Sequence, residues 1–481
     1  MSNTILTITF ILIVIASLSA HSKALAKTTV LRAGAAQVDI TPEAGVQLGG
    51  DVCSYRPAEF VLDPIYAKAL VLECNGRKLC FVAVDLLSIT KHYSTKIREL
   101  AAEKFGFEKE AVMISAIQSH TAPALGHYLP FENLKLPPES NWLRGGDDQY
   151  YSFAVERIIK AIELAHNALE PVKIGVDSGI EGRVAFNRRM VMRDGSIGMP
   201  YGPNTRYRYL EGPMDPELGV MCLRTDSLRI LAMLVSYTCH PVNVFPRPIV
   251  SADWPGVLAD KLREAHGKEC VPLILNGACG NINPYDPFDP YYTKDHLRMG
   301  HILAETAGKV IETLNYKDDI VLDWRSRHLK ISIRELDPKK LEEAQKILAE
   351  NPEPVWVDSE HKRVDPKWIF AAILVDRYNQ RQRNPEYDCE IQVFRVGNAA
   401  FVGWPGEPFV EGGLQVKLKS PTFPTYIVHN TSTLPASVGY TPTKRAFEQG
   451  GHEITWSRLV PEALDIIVDA TIDLLRELFQ G

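Results

Sequence analysis

The sequence predicts an α/β fold: a mixed sheet flanked by helices, in a single large domain with decorations. Three observations carry that expectation. Apolar strands alternate with amphipathic helices along the whole chain. Strand pairs meet at short turns, Asn75-Gly76 and Gly397-Asn398. No flexible linker, internal sequence repeat or low-complexity tract divides the molecule.

"VLRAGAAQVDITPEAG" reads as a strand closed by a Thr-Pro turn, and "YAKALVLECNGRKLCFVAVDLLSI" as a hairpin. "STKIRELAAEKFG" has helical spacing and a terminating Gly106, and is followed by the strand "AVMISA". Pro130 to Asp148 is too rich in Pro, Gly and Asn to be a regular element. "YYSFAVERIIKAIELAHNAL" is a strongly amphipathic helix. The alternation then returns with the strand "RILAMLVSYTCH", the helix "PGVLADKLREAHG", the strand "CVPLILNGACG" and the helix "HLRMGHILAETAGKVIETL". Beyond Ile320 come a strand, a helix capped by Asp337-Pro338, a loop, a further helix, the hairpin "EIQVFRVGNAAFVGWPGE" and a final helix, Pro461 to Leu478.

The 481 residues can bury a sizeable core. With 53 basic and 59 acidic residues, the formal charge of −6 gives no footprint for a phosphate backbone, so nucleic acid is not an expected partner. The apolar run Ile5–Ala16, followed by small residues and Ala24-Leu25-Ala26, has the layout of a secretory signal peptide spanning 1–26, although it lacks an initial Lys or Arg. It is short for a membrane anchor. The mature part, 27–481, is therefore expected to be secreted or periplasmic, with no strong membrane signal. Its eight cysteines form an even count that permits disulfides, but their irregular spacing equally suits buried small residues.

Four apolar strands end in polar or Gly-rich clusters: Gln118 and His120 after "AVMISAI", His240 in "TCHPVN", "NGACGNINP" after "VPLIL", and Glu407 in "GWPGEP". Carboxyl ends of strands line the ligand crevice in open α/β sheets, so these clusters can converge. Two imidazoles and a carboxylate suit Zn2+ with an open position for water, which is the equipment for amide or ester hydrolysis. Hydrogen-bonded turn histidines, and an acid at a helix N-terminus, are the alternatives for the same residues. "NGACGNINP" reads either as an anion nest made possible by Gly277 and Gly280 or as a tight turn. Cys279 is either a thiol nucleophile partnered by His240 or an inert cysteine.

The same clusters carry a resemblance. "AGAAQVDITPEAG", "LDPIYAKALVLE", "ISAIQSHTAP", "CHPVN", "SADWPG", "GNINP", "PGEPF" and "GYTPT", in this order, resemble the N-terminal catalytic domain of the neutral/alkaline non-lysosomal ceramidases, of which the chain looks like a divergent member. The resemblance implies a zinc-dependent hydrolase that cleaves an N-acyl bond with metal-activated water. It implies His240, Glu407 and Tyr440 as zinc ligands. The family stretch "ATHTHSGP", laid on "AIQSHTAP", puts the usual ligand on Gln118 and the second histidine on His120, so these two are the remaining candidates, with His127 as a further donor. Where the family carries "GDVSPN" this chain has "GNINPY". Asn283 there can donate to an oxyanion but cannot act as a nucleophile, so the substrate need not be ceramide. Asp253 of "SADWPG" is the expected orienter of a metal-bound histidine. Asn187 and Arg188 are candidate contacts to a small-molecule, lipid or glycoconjugate substrate, with a solvated loop as the alternative. The family's C-terminal β-sandwich is not apparent after "GYTPT". A catalytically degenerate metal- or glycan-binding protein on the same scaffold is the rival expectation.

Overall fold

The computed structural model describes residues 30–480 except 130, 132–133, 201–204, 290 and 433–438. The expected signal peptide lies outside the described residues. In the first part of the chain, β1 (Arg32–Asp39), β2 (Tyr66–Cys74) and β3 (Arg77–Val84) are antiparallel, α1 (Lys91–Phe105) crosses over, and β4 (Val112–Ala116) returns parallel to β3. Asn75 and Gly76 both have positive φ, 53° and 74°, as a two-residue hairpin turn of this hand requires. α1 stops at Gly106, whose left-handed φ of 69° lets its N–H reach the Ala102 carbonyl.

Helix α2 (Asp148–Asn167) leads to a second sheet built in the same manner. β5 (Lys173–Ile180), β6 (Glu217–Arg224) and β7 (Ile230–Tyr237) are antiparallel; α3 (Asp253–His266) then carries the chain to β8 (Val271–Asn276), parallel to β7. After α4 (His296–Thr313), a third sheet starts with β9 (Leu322–Ser332). The helices α5 (Pro338–Glu350) and α6 (Pro366–Arg383) intervene. β10 (Glu386–Val396) and β11 (Ala399–Gly403) form the hairpin, α7 (Val410–Lys419) crosses, and β12 (Thr425–Val428) is parallel to β11. The final helix, α8 (Ala463–Gln480), packs back on this sheet.

The α/β class is as expected, but three principal sheets replace the one foreseen. Each contains a hairpin, a helix and a strand parallel to the hairpin's second arm. This is a repeat of topology that leaves no mark as sequence periodicity. Phe81 and Met113 of the first sheet, Leu234 and Leu273 of the second, and Phe394 and Phe401 of the third share one buried cluster. Phe81 meets Phe394 and Phe401 edge-on at 5.2 and 5.0 Å. The opposite faces are covered by α1 and α2, by α3 and α4, and by α7 and α8 respectively. Burial on both faces explains why β3, β4, β7 and β8 are continuous apolar runs instead of alternating ones.

Because the parallel arms share a direction, the segments leaving all six open on one cavity. Leu87, Gln118, Val242, Asn283, Glu407 and Asn430 follow β3, β4, β7, β8, β11 and β12 in turn, and all line it. α6 supplies a further wall, anchored by Trp368 and Ile369 against Leu129 and Trp142. The eight cysteines are all unpaired, and all but Cys53 are buried. Among the described residues no helix is long and apolar enough to cross a membrane.

Candidate active site

Gln118 and His120 from the first sheet, Asn283 from the second, and Glu407 and Tyr440 from the third line a cavity of about 470 Å³, and the fully buried His240 lies behind Glu407. His240 leaves the second sheet. Its Nδ1 lies 2.7 Å from the Cys279 carbonyl oxygen and 3.1 Å from that of Ile282, so Nδ1 carries the proton and donates. Nε2 then faces Glu407 Oε2 at 3.1 Å. Glu407 leaves the third sheet, and a two-residue parallel bridge, Glu407 to Tyr440 and Pro408 to Thr441, sets Tyr440 beside it. Burial pushes the Glu407 carboxyl up, but His240, Arg188 and the Gln118 amide outweigh it and hold it at about 2.

The first sheet contributes Gln118 and His120. Gln118 adopts a left-handed φ of 70°, a strained conformation for a residue with a side chain. Its Oε1 accepts from the Cys279 thiol (3.6 Å), and its amide N–H donates to Glu407. The reverse orientation would set oxygen against carboxylate. Gln118 is thus a donor to Glu407, with its carbonyl oxygen turned toward the Cys279 thiol. His120 has a buried Nε2 with no hydrogen-bond partner, and its ring lies 5.8 Å from that of His240. Burial, reinforced by His240, lowers its pKa to about 3. Gly50 makes room for it: a Cβ there would stand 2.7 Å from His120 Nδ1. Arg56 holds the His120 carbonyl at 3.0 Å.

Arg188 lines the cavity, pairs with Glu453 (2.8 Å), donates to Asn283 Oδ1 (3.3 Å) and stands over the Tyr440 ring at 5.1 Å. The bond to Oδ1 turns the Asn283 amide N–H groups away from the guanidinium. Asn187, by contrast, donates to the Pro213 carbonyl and accepts from the Arg189 N–H; it is a buried structural residue, not a cavity contact. Asp253 binds Asn243 Nδ2 and the N–H groups of Val244 and Trp254. It fixes the loop that follows His240, while backbone carbonyls, not Asp253, orient the imidazole. His127 is engaged by Asp148 and Tyr151 away from this group.

Gly277 and Gly280 have ordinary φ, so the anion nest is not formed. They are glycines for space: a Cβ would stand 2.1 Å from Thr238 Oγ1 and 2.4 Å from the Glu407 carbonyl oxygen, respectively. The Cys279 thiol is fully buried and desolvation raises its pKa far above the ordinary value, the setting of an inert cysteine. Its neighbour is His429, at 3.8 Å, a fully buried imidazole at the end of β12 that was not among the candidates. The signal was present, since "TYIVHN" ends an apolar strand in histidine just as "SYTCH" does.

Do these donors suit a divalent cation? Two electron-rich atoms, His240 Nε2 and Glu407 Oε2, face each other at 3.1 Å and require a proton or a cation between them. Ligand atoms of a tetrahedral zinc with bonds of about 2.0–2.1 Å stand roughly 3.3 Å apart. Tyr440 adjoins them and His120 Nε2 lacks a partner. Among the described residues no three His, Cys, Asp or Glu side chains converge on one point, so the pair His240 and Glu407, with Tyr440 next to Glu407, is the start of a cation site and not a complete one.

Residues 31–271 match the family model of the neutral/alkaline non-lysosomal ceramidases, N-terminal. The chain belongs to that family. The fold agrees: neutral ceramidase from Pseudomonas aeruginosa superposes with a TM-score of 0.71 at 18% identity, over 94% of this chain and 74% of that one. A ceramidase solved in complex with C2 gives 0.70 at 17% identity, over 94% and 76%. In this ceramidase family member the polar strand ends quoted from the sequence are the ones that meet.

Proposed function

We propose that this chain is an exported zinc-dependent hydrolase that cleaves an amide or ester bond of N-acyl type, in a lipid or glycoconjugate that need not be ceramide. The observation that carries the proposal is the His240–Glu407 pair, with Nδ1 already committed to a carbonyl. His240, Glu407 and Tyr440 would hold the zinc. When bound, it would acidify a water and polarise the scissile carbonyl.

The remaining residues have separate tasks. The His120 imidazole, whose buried Nε2 has no hydrogen bond, is the further nitrogen donor available to the metal. The Asn283 amide and Arg188 Nη2, which is buried and lacks a hydrogen bond, are the donors available to a developing oxyanion. Secretion or a periplasmic location is part of the proposal and rests on the leader sequence.

The Gln118 orientation favours a second reading: a metal- or glycan-binding protein that has lost turnover. Assaying N-acyl amides, esters and glycosides before and after chelation separates the two. Hydrolysis abolished by chelator and restored by zinc supports the enzyme; ligand binding without turnover supports the degenerate form.

A further inference from the structure

The charges around the cavity are unequally compensated. Its three carboxylates are all engaged by protein donors: Asp51 by the Cys53 N–H, Asp376 by Gln380, and Glu407 by His240 and Gln118. Two of its cations are held by neutral groups alone, backbone carbonyls and the rings of Tyr285 and Trp456. Lys294 Nζ donates to the Phe245 carbonyl (2.8 Å), and Arg377 donates to the carbonyls of Thr455 (2.7 Å) and Trp456 (3.2 Å). Neither forms an ion pair among the described residues. Burial opposes both charges; Arg458 and Arg334 add to this at Arg377, partly offset by Asp376. An arginine stays protonated, so the imbalance is expressed as affinity for an anion. Beside these groups stand Phe245, Phe370, Ile373 and Trp456, an apolar surface suited to an acyl chain. The third cation, Arg188, keeps one buried nitrogen unpartnered.

We propose that the cavity selects an anionic N-acyl amide, a fatty acyl chain joined to an amine that bears a carboxylate or sulfonate, over an uncharged amide of the same chain length. Lys294 and Arg377 are the cavity cations open to the acid group. In hydrolysis the water oxygen bonds to the carbonyl carbon, the C–N bond breaks, and the nitrogen takes a proton from water, releasing the fatty acid and the amino acid. Turnover rests on the hydrolase reading; the binding preference does not.

The test uses a matched pair, N-lauroylglycine and N-lauroylethanolamine, which differ chiefly in the carboxylate. Calorimetry on the full chain should show N-lauroylglycine binding at least about tenfold tighter, the scale of one charge-assisted contact. Arg377→Gln and Lys294→Gln should each reduce that ratio several-fold, whereas Arg377→Lys should retain more of it. Equal or weaker binding of N-lauroylglycine by the unaltered protein overturns the inference, whatever the variants do. So does a ratio that survives the double Gln variant with its circular dichroism unchanged. Tight, charge-selective binding without hydrolysis sustains the inference and removes the hydrolase reading. Hydrolysis of both amides with no preference does the reverse.

Discussion

His240 and Glu407 come from different sheets and meet at 3.1 Å, with the imidazole's other nitrogen tied to a backbone carbonyl. The tie fixes the ring's orientation and leaves Nε2 facing a carboxylate. Gln118, which follows the first sheet, donates its amide to Glu407 while its carbonyl oxygen accepts from the Cys279 thiol.

Gln118→His should therefore strengthen metal retention. The imidazole adds a nitrogen donor where an amide N–H now points, at a backbone position strained for either residue. Zinc affinity measured by competition with a chromogenic chelator should rise by about tenfold or more, the scale of changes close to a metal site. An unchanged or lower affinity would show that the segment cannot present a ligand.

Close packing behind the site gives a second expectation. Gly280→Ala places a Cβ 2.4 Å from the Glu407 carbonyl oxygen and 2.8 Å from that of Pro408, both backbone atoms. The two loops must separate, at a cost of about 1–3 kcal/mol and with displacement of Glu407. Gly308→Ala in α4 meets nothing within 4 Å and should stabilise by roughly 0.5–1 kcal/mol. Urea midpoints of the two variants should move in opposite directions.

Acid should loosen the junction between the first and third sheets. At Asp388 burial raises the carboxyl pKa, but the bond and charge of Lys91 at 2.7 Å, with His328, hold it at about 2. The unfolded value is about 3.9. The folded value is the lower one, so the contribution is fully present above about pH 4 and is lost as pH falls through 2. The pair is about one-third exposed, which keeps its contribution within about 1 kcal/mol. Asp388→Asn should flatten the fall of the urea midpoint between pH 4 and pH 2, and an unaltered slope would contradict this.

The strand ends were legible because an apolar run that stops at His, Gln or Glu advertises a polar opening, and that logic located His120, His240 and Glu407. The three-sheet arrangement was hidden because its repeat consists of connections, which different apolar residues can build equally well. The role of Gln118 depends on a thiol and a carboxylate distant in sequence. Gly277 and Gly280 look like conformational glycines in isolation; only the neighbouring loops show that the constraint is space. Asn187 ends the two-residue strand Phe186–Asn187 and is bound to the Pro213 carbonyl, whereas Arg188, just beyond the strand, lines the cavity.

The most direct test is the zinc stoichiometry of protein purified without added metal, measured by inductively coupled plasma mass spectrometry beside His240→Ala and Glu407→Gln. The account predicts close to one zinc per unaltered chain and near-total loss in both variants, each still folded by circular dichroism. A metal-free native chain that takes up no zinc when it is supplied, or full occupancy in the His240→Ala protein, would contradict it.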